Sequence, residues 1–194
     1  MVKSATFRLP GAAWQLYFAP EALLALQQHA QVGRLSRESV GQLYSKDLSA
    51  KTVVVSKVTC LKATYARWAR VRFDVNQAMR ERETLFDEGW HCLGFWHTHP
   101  EPSPLPSLDD IATSREHARA ALSVTNGMIF AIVGTQPLPL GLRVWCDNGI
   151  DLAAMGSIVT PPEAGGSDGL EIALSAELVD EESEDTQPSN SRHV

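Results

Sequence analysis

Long hydrophobic runs are missing from this sequence of 194 residues. It contains no stretch of about 18 uninterrupted apolar residues, the length that a membrane-spanning helix needs. Its first residues, MVKSATFRLPGAAWQ, lack the apolar segment of a secretory signal peptide. We therefore expect a protein of the cytoplasm that has no membrane partner.

Cysteine is also scarce. Cys60, Cys92 and Cys146 lie far apart and form no C-x-x-C pair. An odd number of widely separated cysteines indicates neither a disulfide framework nor a thiolate zinc site. The sequence therefore predicts three buried, reduced thiols.

Positive charge is not in excess, because the formal net charge is −6. Residues 171–194 carry seven carboxylates against Arg192 alone, which leaves 16 acidic and 16 basic side chains in the rest of the chain. A neutral body gives no reason to expect nucleic-acid binding, which relies on clustered basic surface. A local basic stretch over 57–72 predicts a solvated strand face, with a partner-docking face as the alternative.

The composition that is present suits a packed domain. Apolar residues make up 44% of the chain and charged residues 21%, and the length fits one core. From Pro161 the sequence becomes rich in proline, glycine, serine and acidic residues. We expect one domain over residues 1–160, an extension over 161–179 with a possible strand at 170–178, and a disordered acidic tail over 180–194.

Hydrophobic periodicity predicts helices interspersed among strands. The predicted helices cover 21–30, 75–87 and 108–122, and the predicted strands cover 6–9, 39–45, 52–59, 90–99, 128–133 and 142–146. This order indicates an α/β or α+β fold built on a mixed sheet.

Residues 94–110, which read GFWHTHPEPSPLPSLDD, carry the strongest chemical signal. His97 and His99 stand two apart at the end of a predicted strand, so that both imidazoles face the same side. Asp110 lies in the first turn of the next helix, behind the N-cap Ser107. Two imidazoles and one carboxylate can bind one zinc ion and leave its fourth position open, as catalytic zinc sites do.

Each part of this signal has a plainer interpretation. An isolated H-x-H is more often a pair of surface or packing residues, and Ser107-x-x-Asp110 is also an ordinary capping box. A proline-rich stretch is most often a turn. Capping does not require two histidines at the preceding strand end or a connection stiffened by four prolines, so their joint occurrence favours a metal site.

The pattern His97-Thr98-His99-Pro100, six residues, then Ser107-Leu108-Asp109-Asp110 resembles the signature of the JAMM (MPN+) metalloproteases of the Mov34/JAB group. The resemblance covers roughly residues 5–160 and implies the MPN/JAB1 fold, a central mixed β-sheet flanked by α-helices. It implies one zinc ion bound by the two histidines and Asp110. It also implies that Ser107 supports the tetrahedral intermediate.

The same resemblance implies a general base upstream of the histidines. The family presents this glutamate as E-x-G-G-x-L-x-G, and the nearest match here is ESVGQLYS, which begins at Glu38. Val40 and Ser45 stand where the family often has glycine. Glu101, in the loop beside the histidines, is the alternative base. Three other glutamates are expected on the solvated side of the second helix, namely Glu81, Glu83 and Glu88.

The resemblance further implies an isopeptidase or peptidase that cleaves after the C-terminus of a ubiquitin-like protein. The implied partners are that protein or its conjugates and the E1-like and E2-like enzymes of a bacterial, antiviral conjugation operon. One alternative is a peptidase that releases cysteine from a sulfur-carrier protein, and another is a non-catalytic scaffold of the same fold. A zinc nucleobase deaminase is excluded because the combination of H-x-E with P-C-x-x-C is absent.

Overall fold

The computed structural model describes residues 4–33, 36–67 and 70–158, with the backbone alone over 63–67 and 70–73. In chain order its elements are β1 (Ala5–Arg8), β2 (Gln15–Phe18), α1 (Pro20–Gln28), β3 (Val40–Ser45), β4 (Thr52–Val55), β5 (Lys57–Val58), β6 (Ala63–Arg67), β7 (Arg70–Phe73), α2 (Val75–Asp87), β8 (His91–Thr98), α3 (Leu108–Ala121), β9 (Met128–Val133), β10 (Leu142–Asp147), β11 (Leu152–Ala154) and β12 (Gly156–Ile158). The predicted strand over 170–178 and the acidic tail lie outside the described residues.

The smaller mixed sheet has the strand order β12-β1-β2-β4. Strands β2 and β4 pair in parallel, whereas the other neighbours are antiparallel. Leu16 and Phe18 of β2 are fully buried, as are Leu23 and Leu26 of α1. Proline at the first position of α1 supplies the helical φ angle without losing a hydrogen bond. This sheet and α1 therefore contribute much of the main hydrophobic core.

The larger mixed sheet has the order β11-β10-β9-β8-β3-β5. Strand β8 is central, pairing in parallel with β9 and antiparallel with β3. The predicted mixed sheet is therefore confirmed. The prediction of a single strand over 52–59 was wrong. Ser56 separates β4 from β5, and these two strands join different sheets.

Two glycines allow the central strands to approach closely. A Cβ atom at Gly94 would lie 1.8 Å from the carbonyl oxygen of Ile129, and one at Gly41 would lie 1.8 Å from that of Thr59. The same close approach lets the buried Trp96 donate from Nε1 to the Thr59 carbonyl at 2.9 Å. Strand β8, which contains His97 and immediately precedes His99, is thus held by close contacts with Ile129 on one side and Thr59 on the other.

The cysteine prediction was partly right. All three thiols are free, but Cys60 is exposed, whereas Cys92 and Cys146 are half-buried. The next residue, Leu61, turns into the core and bridges to Val40, so the preceding side chain points outward. Within the described part of the chain, no helix has both the length and the apolar character needed to cross a membrane.

Candidate metal centre

The two histidines lie at the carboxyl end of the central strand. His97 is buried between Val40 of β3 and Ile132 of β9, its partners in the register. His99 follows the strand and donates its backbone N–H to the Val133 carbonyl at 2.9 Å. The backbone around both imidazoles is therefore held by sheet hydrogen bonds.

Their imidazoles face the same side, as the two-residue spacing predicts. The Nε2 atoms of His97 and His99 lie 2.9 Å apart, and the ring centroids are separated by 4.7 Å. A strand turns alternate side chains to one face, which accounts for this convergence. Both rings thus present Nε2 to one point.

Asp110 completes the group from the first turn of α3. Its Oδ1 lies 3.3 Å from Nε2 of His97, and its Oδ2 lies 3.4 Å from Nε2 of His99. Among the described residues, these three side chains form a group whose potential ligand atoms all lie within 4.8 Å of one another. Strand and helix therefore bring together the three predicted ligands.

Ser107 fixes the aspartate through a capping box. Its Oγ accepts from the Asp110 N–H at 3.2 Å, and its own N–H donates to Asp110 Oδ2 at 2.8 Å. The hydroxyl also donates to Oδ2 at 2.7 Å. The predicted N-cap is confirmed, and the cap holds the carboxylate toward the histidines.

The charges of the group follow from these contacts. Burial alone would raise the pKa of Asp110, but hydrogen bonds from His97 and His99 outweigh it and lower this pKa. Burial lowers the pKa of His97. For His99 burial also acts downward, but the Asp110 carboxylate prevails and the pKa is raised. The aspartate is thus ionised as a metal ligand must be, and His99 would release a proton on binding metal.

Glu38 lies two residues before β3, the strand that pairs with β8. The Ser39 N–H donates to Thr98 Oγ1 at 2.9 Å, and the Thr98 N–H donates to the Ser39 carbonyl at 3.0 Å. Continuing this antiparallel register by one residue sets Glu38 opposite His99. Its side chain is 4% exposed, and Oε1 has no hydrogen-bond partner within the described part of the chain.

Burial raises the pKa of Glu38 to about 7, against an ordinary value of 4.5. The charge of His99 opposes this shift, whereas the carboxylates of Asp110 and Glu101 add to it. A carboxyl group whose pKa lies near neutrality can both accept and return a proton. The raised pKa of Glu38 is therefore suitable for the general base that the sequence predicts at this position.

A family model described as prokaryotic homologs of the JAB domain matches residues 20–146. The chain belongs to this family. The match includes the two histidines, Asp110, Ser107 and Glu38.

A solved structure shares the fold of this JAB domain. It is the solution structure of protein DSY2949 from Desulfitobacterium hafniense, with a TM-score of 0.50 and 17% sequence identity. The similarity covers 73% of this chain and 88% of that one. Among curated proteins, none matches this chain.

The donor set of the JAB domain fits a zinc ion. Two neutral imidazole nitrogens and one carboxylate are the usual protein ligands of a catalytic zinc site, which leaves one position for water or substrate. His97, His99 and Asp110 supply this set. Close to this group, Oε1 of Glu38 is a buried acceptor that has no donor among the described residues.

Other glutamates occupy different surroundings. Glu101 Oε2 lies 3.3 Å from Nδ1 of His99, on the side of the ring away from the three converging ligand atoms. Glu83 of α2 and Glu88, the residue that caps its carboxyl end, are exposed, as predicted. The expectation for Glu81 was wrong, because its Oε1 accepts from Gln42 Nε2, Tyr44 Oη and Thr59 Oγ1. Glu81 shares the side of α2 on which Ala78 and Leu85 are buried.

A small cavity of about 50 Å³ lies beside the ligands and was missed from the sequence. Its wall includes His97 and Asp110 together with Thr113 and His117 of α3. His117 packs against Phe95 with ring centroids 4.5 Å apart and the ring planes tilted by 46°. The helical spacing of positions 110, 113 and 117 was the available signal, since such residues share one face.

Proposed function

We propose that this JAB domain is a zinc-dependent isopeptidase or peptidase that cleaves after the C-terminus of a ubiquitin-like protein. The observation that carries the proposal is the convergence of His97, His99 and Asp110 beside the buried Glu38, whose Oε1 has no hydrogen-bond partner among the described residues. A scaffold without activity has no need of a complete ligand set with a buried carboxyl group beside it.

The residues of the proposed centre have different roles and come from β8 and α3. His97, His99 and Asp110 would hold the ion from the end of β8 and the start of α3. A zinc ion bound in this way acidifies water and polarises a carbonyl group. The capping box at Ser107 keeps the aspartate oriented, and the sheet holds both imidazoles.

Glu38 is the proposed general base. It takes a proton from water as the water oxygen bonds to the carbonyl carbon, and it returns the proton to the departing nitrogen as the C–N bond breaks. Its pKa of about 7 supports both transfers near neutral pH. We assign Ser107 to hydrogen bonding of the developing oxyanion, for which its hydroxyl must leave Asp110 Oδ2.

We propose a bacterial, antiviral conjugation system in the cytoplasm as the setting. Three free cysteines agree with a reducing compartment. The partners would be a ubiquitin-like protein or its conjugates and the E1-like and E2-like enzymes that attach it. This assignment follows from the family resemblance of the H-T-H-P motif.

The test compares wild type with Glu38→Gln on a conjugate of the cognate ubiquitin-like protein. We expect cleavage to fall by about 100-fold or more, because glutamine cannot accept the proton. Zinc content should stay at one ion per chain, and Glu83→Gln on the outer face of α2 should behave as wild type. Equal rates for wild type and Glu38→Gln would remove Glu38 from the reaction. Cleavage of a carrier protein ending in cysteine, but of no conjugate, would favour the sulfur-carrier pathway instead.

A further inference from the structure

We propose that Glu101 is a positioning residue that orients His99 for metal binding, by accepting a hydrogen bond from its outer ring nitrogen. This inference rests on the proposed zinc centre and adds a residue outside the three ligands. Glu101 directly follows the H-T-H-P motif, and sequence reasoning offered it only as an alternative base.

The two ring nitrogens of His99 have different neighbours. Nε2 lies 2.9 Å from Nε2 of His97 and 3.4 Å from Asp110 Oδ2, so it is the inner nitrogen that faces the metal position. Nδ1 is the outer nitrogen and lies 3.3 Å from Glu101 Oε2. A metal ligated through Nε2 requires the proton to be on Nδ1, and a carboxylate beside Nδ1 stabilises that tautomer.

The backbone holds Glu101 in this position. Its carbonyl oxygen accepts the Thr135 N–H at 3.0 Å, immediately beyond β9. Gly134 packs directly under the loop, since a Cβ there would lie 2.6 Å from the Glu101 carbonyl oxygen. Proline on both sides restricts the backbone further. The carboxylate therefore approaches His99 from a restrained segment.

The surroundings of Glu101 differ from those of Glu38. The Glu101 side chain is 57% exposed and already has an imidazole beside it. Glu38 is buried, and one of its oxygens has no partner among the described residues. A base needs a free oxygen near the reacting water, whereas a positioning group needs a steady contact to a ligand. Glu101 fits the second requirement.

The experiment measures zinc affinity in full-length protein by competition with a chromophoric chelator. We expect Glu101→Ala to weaken zinc binding by about 10-fold to 100-fold, the usual effect of losing such an outer contact. Glu101→Gln keeps an acceptor oxygen and should lose less. The matched control is Glu83→Ala, which removes an exposed glutamate from α2. Because the Glu101 side chain is largely exposed, all metal-free variants should fold with unchanged melting temperature.

A spectroscopic signature separates positioning from a general loss of charge. In zinc-loaded wild type labelled with ¹⁵N, the His99 Nδ1–H should exchange slowly with water and give a resolved NMR signal. The signal should disappear in Glu101→Ala and persist in Glu101→Gln and Glu83→Ala. Its loss together with weaker zinc binding supports the orienting role.

Three results would overturn the proposal. These are a zinc affinity of Glu101→Ala equal to that of Glu83→Ala, equal losses in Glu101→Ala and Glu101→Gln, and an unaltered His99 signal in Glu101→Ala. A wild-type protein that binds no zinc would refute the metal centre and this role together. A protein that binds zinc in the expected manner but hydrolyses no conjugate would refute only the proposed function.

Discussion

The two ends of strand β8 differ in both volume and chemistry. At its amino end, a cavity of about 610 Å³ is lined mainly by apolar side chains, including Leu16, Leu93 and Ile129. The described residues that line it include no histidine, aspartate or glutamate. At its carboxyl end the cavity is only about 50 Å³, yet His97 and Asp110 line it. The candidate chemistry therefore lies where ionisable groups converge and not where the volume is greatest.

The two ends of β8 also differ in the free-energy cost of the groups that they bury. Burying a carboxyl oxygen without a hydrogen-bond partner is costly, and the fold bears this cost at Oε1 of Glu38. The apolar end of β8 has no corresponding carboxylate among the residues lining its cavity. Asp147 of β10 also has a buried oxygen, Oδ2, without a partner, so it is the coincidence with three converging side chains that distinguishes Glu38.

Among substitutions at the two ends of β8, loss of a candidate metal ligand should have the largest effect. We expect His97→Ala to remove stoichiometric zinc and to lower conjugate cleavage by about 1000-fold or more, since the remaining groups cannot supply the metal's contribution. Lys51→Ala, at the rim of the apolar cavity, should leave both unchanged. Metal analysis and initial rates measure the outcome. Full zinc content in His97→Ala would contradict the assigned ligands.

Zinc binding should also raise the free energy of unfolding, an effect that we rank below the loss of cleavage in His97→Ala. At free zinc about 1000 times its dissociation constant, a ligand that binds only the folded state contributes about 4 kcal/mol. For a domain of this size, that raises the melting temperature by roughly 8–16 °C. Thermal unfolding with chelator and with zinc measures the shift. Asp110→Ala should show little of it, and an equal shift in that variant would indicate a different binding site.

A substitution at the apolar end should affect stability without affecting the metal. Leu16 is fully buried beside the larger cavity, so Leu16→Ala should cost about 3 kcal/mol of unfolding free energy. Leu48→Ala, at a half-exposed wall position, should cost less than about 1 kcal/mol. Denaturant unfolding measures both. A Leu16→Ala protein that is folded but has lost its zinc affinity would show that the two ends are coupled.

The pH dependence of the metal-free protein should reveal Glu38. Because its pKa is raised from 4.5 to about 7, folding favours the protonated form. The stability that this group contributes is full below pH 4.5 and is lost as pH rises through about 7. Glu38→Gln should therefore equal wild type at low pH and exceed it above neutrality by up to about 3 kcal/mol. Parallel stability curves for the two proteins would contradict the shifted pKa.

The candidate site was largely predictable from the sequence because its signals are local. The alternation of a strand turns His97 and His99 to one side, and the capping box at Ser107 is set by neighbouring residues. Both features depend on few sequence positions. The upstream glutamate required the family resemblance, because only strand pairing brings position 38 near position 99.

The errors in the fold have a common physical origin. The strand predicted over 52–59 divides between two sheets, and β2, β11, β12 and the β6-β7 hairpin were not predicted. These strands have five residues or fewer. The pairings of β12 with β1 and of β2 with β4 join segments distant in sequence, whereas β6, β7 and β11 pair with chain neighbours but are too short to show a clear alternation. Strand propensity depends on such partners, so short windows do not determine it. Glu81 is similar, because its acceptor role depends on three donors from β3 and the residue after β5.

The antiparallel register between Ser39 and Thr98 has a consequence for how this site can change. All three candidate metal ligands lie within one stretch of 14 residues, whereas the proposed base is about 60 positions earlier. A slip of one residue between the strands would turn the glutamate to the opposite face and leave the ligands intact. A one-residue insertion between Glu38 and Val40 would therefore separate the proposed base from the candidate ligands without disturbing the ligands themselves.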